Sequence, residues 1–249
     1  MDLETAAWIA ASGLATAVGG AALLLVRRPS RRALDVLLGF TAGVMLGATV
    51  FSLLVPALDR GGAAEALGGL LLGGAVLAMV DVVLPHAHAR LRERGGRALE
   101  DRASERRAVL LLAALTIHNV PEGLAVGVAF AAGGPELGVP IAVGIGIQNV
   151  PEGFAAAAPL IAAGTPRRTA AAVAASTGLV EPPAAFAAFA AVELAGAILP
   201  IALGFAAGAM LYVVVDELIP ESHASGHELD ATLALIAGFV LMVALDTTL

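Results

Sequence analysis

Two short stretches of this chain carry chemistry inside surroundings that carry none. His118-Asn119-Val120-Pro121-Glu122-Gly123 returns thirty residues later as Gln148-Asn149-Val150-Pro151-Glu152-Gly153, each copy set in a run of Ala, Val, Ile, Leu and Gly. On a helix, residues i, i+1 and i+4 share one face, so His118, Asn119 and Glu122 form one polar cluster and Gln148, Asn149 and Glu152 a second. Pro121 cannot donate to the Ile117 carbonyl, nor Pro151 to that of Ile147, so a kink and a freed backbone oxygen are expected beside each cluster. Gly123 and Gly153 remove side-chain bulk one residue past the carboxylates and invite a neighbouring helix to close approach. One imidazole with carboxylates and amide oxygens suits Zn²⁺ and its neighbours Fe²⁺, Mn²⁺, Co²⁺ and Cd²⁺ better than an all-oxygen set would. Those carboxylates would take up protons as a metal leaves, which makes flux pH-dependent.

The elements that position these clusters lie in a membrane. Of 249 residues 59% are hydrophobic and 14% charged, and the mean hydropathy is +0.89, a balance outside the range of soluble globular domains. Cysteine is absent, which excludes a disulfide framework and a thiolate metal site. The amino terminus, Met1-Asp2-Leu3-Glu4, lacks the basic region of a cleavable signal peptide, so the first apolar run is expected to remain as a membrane helix.

A span needs about 20 apolar residues, and eight runs qualify, near 6–26, 34–57, 64–85, 108–131, 138–163, 169–192, 196–219 and 231–248. The expected fold is therefore an all-α integral membrane protein of eight transmembrane helices, a single polytopic domain over 1–249. All 14 basic residues are arginine, and 13 fall in three connections: Arg27 to Arg32, Arg90 to Arg107, and Arg167 with Arg168. Those connections alternate correctly if both termini face outward. The fourth inner loop, Pro220 to Asp230, has no arginine and carries Glu221, His223, His227 and Glu228 instead. On this topology the fourth and fifth helices run antiparallel and bear the same motif, which predicts inverted-repeat symmetry with a metal site between them near the midplane.

The remaining polar residues divide by context. Glu181, followed by Pro182-Pro183, again sets an ionisable group at a break in helical hydrogen bonding, and buried membrane carboxylates mark pathways. Met45 by type alone reads as core filler. Asp35, Asp59 and Asp81 near helix ends read most simply as solvated termini. Asp216-Glu217, adjacent acids within an apolar run, need water or a cation. Glycines at 39, 43 and 47, at 69 and 73, and at 204 and 208 follow the spacing that permits close helix packing. Asp81, His86 and His88 at one inner helix end, with Glu217, Glu221, His223 and His227 at another, would offer a departing ion successive weak sites, with His227 the member that reads most simply as an ordinary loop residue.

The doubled motif, with Glu181-Pro182-Pro183 in a sixth span, resembles the ZIP (Zrt-, Irt-like protein) divalent metal transporters, in particular a prokaryotic branch, and the resemblance covers nearly the whole chain. It implies a paired metal site, one half using Met45, His118, Glu122, Gln148 and Glu152, the other Asn119, Glu122, Asn149, Glu152 and Glu181. It further implies Ser52 and Asp59 near the outer mouth, Asp35 near the inner end of the second span, and Asp81, His86, His88, Glu217 and His223 along the inner exit. Zn²⁺ or a related ion would be cargo in transit to the cytoplasm, with no separate cofactor, and the chain would sit in the lipid bilayer of the bacterial inner membrane as a homodimer. Some relatives have His in place of Gln148, and the closest family pattern has Asp in place of Asn149.

Two other functional classes fit parts of the pattern: an intramembrane zinc-dependent hydrolase and a non-transporting metal sensor. Against the hydrolase, the motif is not His-Glu-x-x-His, and no second histidine lies in an apolar span. No phosphate-binding loop is present for nucleotide-driven pumping, and no nucleic-acid partner is expected.

Overall fold

The computed structural model describes the chain apart from residues 27–29, 93–99 and 163, and describes 81–92, 100–115, 159 and 162 by backbone alone. Among the described residues the regular structure is all helical, with no strand. The helices are α1 (Leu3–Ala22), α2 (Arg31–Gly47), α3 (Val55–Gly61), α4 (Ala63–Arg92), α5 (Glu100–Ala162), α6 (Arg167–Thr177), α7 (Glu181–Leu194), α8 (Leu199–Val213), α9 (Ile219–Ser222) and α10 (Glu228–Thr248). Among the described residues seven helical stretches are long and apolar enough to cross a membrane: Leu3–Ala22, Arg31–Gly61, Ala63–Val80, Thr116–Ala158, Arg167–Leu194, Gly196–Ser222 and Glu228–Thr248.

The starts of these helices follow from local chemistry. The Asp2 carboxylate accepts from the Thr5 amide at 2.8 Å, and the Ser30 hydroxyl accepts from the Ala33 amide at 3.1 Å, each satisfying an orphan donor of a first turn. The Arg167 guanidinium donates to the carbonyls of Leu23 and Val26 just past α1.

Helix α5 is the scaffold of the site. A straight helix over the 43 residues Thr116–Ala158 would be about 65 Å long, twice the hydrocarbon thickness. It is interrupted at Gly133 (φ −142, ψ 16) and Gly134 (φ 59, ψ −145), and the second of these takes a conformation that L side chains rarely adopt. The chain turns back there. Phe130 of the first limb covers Gly138 of the second, and Gln148 reaches Glu122 across the pair at 2.6 Å. Elsewhere α5 keeps helical dihedrals, so the helix runs on through Pro121 and Pro151.

Helices α2 and α8 share a feature that the hydropathy pattern hides. Gly39-Phe40-Thr41-Ala42-Gly43-Val44-Met45-Leu46 in α2 matches Gly204-Phe205-Ala206-Ala207-Gly208-Ala209-Met210-Leu211 in α8. Both then widen into π-helical segments, Ala48–Leu54 and Val214–Leu218. The Val55 amide bonds to the Val50 carbonyl and the Ile219 amide to that of Val214, each just ahead of a proline, Pro56 or Pro220. A proline ring pushes away the carbonyl four residues back, and the opened turn lets the preceding amide reach five residues back.

The glycines set the packing. A Cβ on Gly39 or Gly43 would strike the α10 backbone at Ala231 or Leu235, and one on Gly204 or Gly208 would strike α4 at Ala66 or Leu70. Gly69 and Gly73 lie equally close to Ile201 and Phe205 of α8. Gly123 rests on the Glu181 carbonyl and Gly153 on that of Thr16, which brings α7 against the first limb of α5 and α1 against the second. The approaches at Gly39, Gly43, Gly69, Gly73, Gly204 and Gly208 use the small-residue spacing read from the sequence, and those at Gly123 and Gly153 the missing bulk expected after each carboxylate.

Candidate metal site

All eight residues expected as ligands, Met45, His118, Asn119, Glu122, Gln148, Asn149, Glu152 and Glu181, are buried. Met45 lies on α2 ten residues past Asp35 and fourteen before Asp59, roughly 15 and 21 Å along a helix, and so near the middle of its span. The limbs of α5 bring the two copies of the motif together. Gln148 Nε2 donates to Glu122 Oε1 at 2.6 Å, and the carboxyls of Glu122 and Glu152 are direct neighbours. Asn149 Nδ2 donates to both oxygens of Glu181, at 3.0 and 2.9 Å, and to the Ser12 carbonyl of α1 at 2.9 Å. The Thr16 hydroxyl donates to Glu181 Oε1 at 3.3 Å.

His118 turns toward α8. Its Nε2 lies 2.6 Å from Glu217 Oε1, at the π-helical segment that follows Met210 by one turn. Glu217 is a third exposed, so this pair connects the buried cluster to a more open region. Among the described residues no three His, Asp or Glu side chains gather closely enough to hold an ion as they stand. The groups are instead paired with one another, each carboxylate against an amide, an imidazole or another carboxylate.

The pairing is incomplete in one place. Among the described residues, the buried side-chain nitrogen and oxygen atoms without a hydrogen-bond partner are Asn119 Nδ2 and Oδ1, Glu122 Oε2, Gln148 Oε1, Asn149 Oδ1 and Glu152 Oε1. Every one belongs to the doubled motif. Buried polar groups normally find partners because an unmet one carries its full desolvation cost, and five of these six atoms are oxygens able to bind a cation.

The residues expected along the pathway separate by end. Ser52 is buried and donates to Asp246 at 2.7 Å, while Asp59 is exposed beside Arg60, whose guanidinium reaches the Ala132 carbonyl at the tip of the α5 hairpin at 3.4 Å. At the opposite end, buried Asp35 accepts from or pairs with His227 Nδ1 at 2.8 Å, and Arg32 pairs with Asp230 at 2.7 Å. Both nitrogens of His223 are occupied: Nδ1 by the Ile219 carbonyl at 2.8 Å and Ser222 at 3.0 Å, Nε2 by Thr232 at 3.0 Å. The side chains of Asp81, His86 and His88 lie outside the described residues. Sequence reading passed over Thr16 and Asp246. Thr16 sits in an apolar run with no motif around it, but Asp246, a lone acid near the end of the last apolar run, was a signal of the same kind as Glu181.

The family described as ZIP Zinc transporter matches residues 84–246, about two thirds of the chain. The chain belongs to the ZIP zinc transporter family. Zinc transporter GufA of Myxococcus xanthus is 44% identical over 247 residues, covering 96% of each chain. Zinc transporter ZIPB of Bordetella bronchiseptica is 44% identical over 255 residues, covering 96% of this chain and 79% of that protein. Zinc transporter ZIP11 of Homo sapiens is 37% identical over 321 residues, covering 94% of each. Membership of this family, together with the apolar helices, makes the chain an integral membrane protein and a transporter, not an enzyme. The cargo of such a transporter is a divalent metal ion.

Proposed function

We propose that this ZIP protein carries divalent transition-metal ions, zinc foremost and Fe²⁺, Mn²⁺, Co²⁺ and Cd²⁺ as competitors, across the bacterial cytoplasmic membrane into the cytoplasm. The observation that carries this reading is the concentration of unpartnered buried polar atoms in Asn119, Glu122, Gln148, Asn149 and Glu152. Counting the two limbs of α5 separately gives eight spans related as inverted repeats, with α2 on α10 answering α8 on α4. Arginine placement then puts both termini outside and Asp35, Glu217 and His227 on the cytoplasmic side.

In this scheme an ion enters past Asp59, Ser52 and Asp246. At the midplane it draws Gln148 Oε1 round in place of the Nε2 that now holds Glu122, and it separates the facing carboxylates of Glu122 and Glu152. His118 leaves Glu217 to bind it, with Met45 as a soft thioether ligand. On release, Glu217 takes back the His118 imidazole, and the vacated carboxylates accept protons. Exit toward Asp35 and His227 follows, with Asp81, His86 and His88 as further weak ligands.

Uptake by proteoliposomes of the purified protein, offered Zn²⁺ with each competitor in turn, tests the proposal. Saturable Zn²⁺ uptake, reduced by the competing divalent ions, is expected. Zinc binding without flux would favour a sensor, and zinc-dependent peptide cleavage would favour a hydrolase.

A further inference from the structure

Glu181 bears on how many ions the site holds at once. The residue is 1% exposed, and both of its carboxylate oxygens are engaged by donors of the chain itself: Asn149 Nδ2 on Oε1 and Oε2 at 3.0 and 2.9 Å, and Thr16 Oγ1 on Oε1 at 3.3 Å. The same amide nitrogen donates to the Ser12 carbonyl at 2.9 Å. The orientation of Asn149 is thereby fixed, because the reversed amide would set Oδ1 against three acceptors at once. Gln148 differs in kind. Its Nε2 holds only Glu122 Oε1, a side-chain partner that can move with it, so turning its oxygen toward an ion breaks one bond.

A cation approaching Glu181 has to push aside an amide anchored to backbone. Helix α1 cannot follow, because Gly19 and Gly153 hold it against the second limb of α5, and the Ser12 carbonyl would be left buried and unpaired. The donors on Glu181 therefore form a permanent cover, whereas those on Glu122 form a removable one.

We propose that this protein carries a single ion at a time, bound among Met45, His118, Glu122, Gln148 and Glu152, and that the Asn149 amide occupies the position beside Glu181 which a second cation would need. Glu181 is then a positioning residue that ties α7, α1 and the second limb of α5 together, and Asn149 Oδ1, turned away from it, is the only atom of that pair left to face the ion. The proposal rests on the doubled motif being the metal site.

Equilibrium dialysis of the full-length purified protein against Zn²⁺, and separately Cd²⁺, with metal and protein counted in the same sample, tests it. One ion per chain is expected in the parent, and two in Asn149→Asp, where an acid replaces the donor and faces Glu181. Two ions per chain in a parent that transports zinc normally would overturn this proposal and leave the transport reading standing. One ion in an Asn149→Asp protein that melts within a few degrees of the parent would overturn it as well. The parent count stands by itself if Asn149→Asp does not fold. No bound ion together with no uptake would overturn the metal-site reading, and this proposal with it.

Discussion

The contact between His118 and Glu217 joins the buried doubled motif to a more open part of the molecule. With His118 as the proposed ligand, Glu217 would compete with the metal for Nε2, and the affinity measured at equilibrium would contain the loss of that bond. Replacing Glu217 by Ala is expected to tighten zinc binding about fivefold, the factor that about 1 kcal/mol gives, because Glu217 is partly exposed and its pair with His118 is screened. The same change should slow zinc turnover, since nothing then draws the imidazole off the ion. Calorimetric affinity and proteoliposome flux, measured on one preparation, would show the opposed movements, and an unchanged affinity would mean that the contact has no part in binding. Much of this was legible beforehand. The repeated Asn-Val-Pro-Glu-Gly sequence with His or Gln before it named six of the buried residues, because ligand spacing within one helix is fixed by 3.6 residues per turn. Which atom faces which across two helices was not legible. Inter-helix rotation alone decides that Asn149 gives its nitrogen to Glu181 and Ser12, or that His118 meets Glu217, and no local pattern encodes it.

At the scale of elements, α4 supplies its own control. Gly68 and Gly73 lie on the same helix, but a Cβ at Gly68 meets nothing within 4 Å, whereas one at Gly73 runs into the Phe205 carbonyl of α8. Gly68→Ala is expected to stabilise the protein in detergent by up to about 1 kcal/mol through helix propensity, and Gly73→Ala to destabilise it by about 1–3 kcal/mol through overpacking. Thermal unfolding of the two variants side by side would show shifts of opposite sign, and equal shifts would contradict the close α4–α8 packing. Hydropathy and length sufficed to read an all-helical chain with long apolar helices, seven of which lie among the described residues. They did not foretell the π-helical segments before Pro56 and Pro220, which arise from a proline acting on a helix that continues past it. The matching Gly-Phe and Met-Leu positions of α2 and α8 were present in the sequence, but more than 150 residues separate them, and glycine spacing alone was read there. The prolines at 121 and 151 do not end α5, which keeps helical dihedrals through both.

The whole molecule has two chemically distinct ends, one with Asp59, Arg60 and Asp246, the other with Arg32–Asp230 and Asp35–His227 binding α2 to α10. Because the chain has no cysteine, a single introduced thiol reports on one place only. In intact cells a membrane-impermeant thiol reagent is expected to label Glu4→Cys from outside and to reach Glu228→Cys only after lysis, whereas labelling of both in intact cells would contradict the arginine-based orientation. The central claim is narrower: the facing carboxylates of Glu122 and Glu152, with the orphaned amide oxygens around them, are what moves the ion across. Initial rates of Zn²⁺ uptake into proteoliposomes of parent, Glu122→Ala and Glu152→Ala proteins, matched for inserted protein, test it most directly. The account predicts saturable uptake by the parent and flux at the level of protein-free vesicles for both variants; near-parental uptake by Glu122→Ala would contradict it.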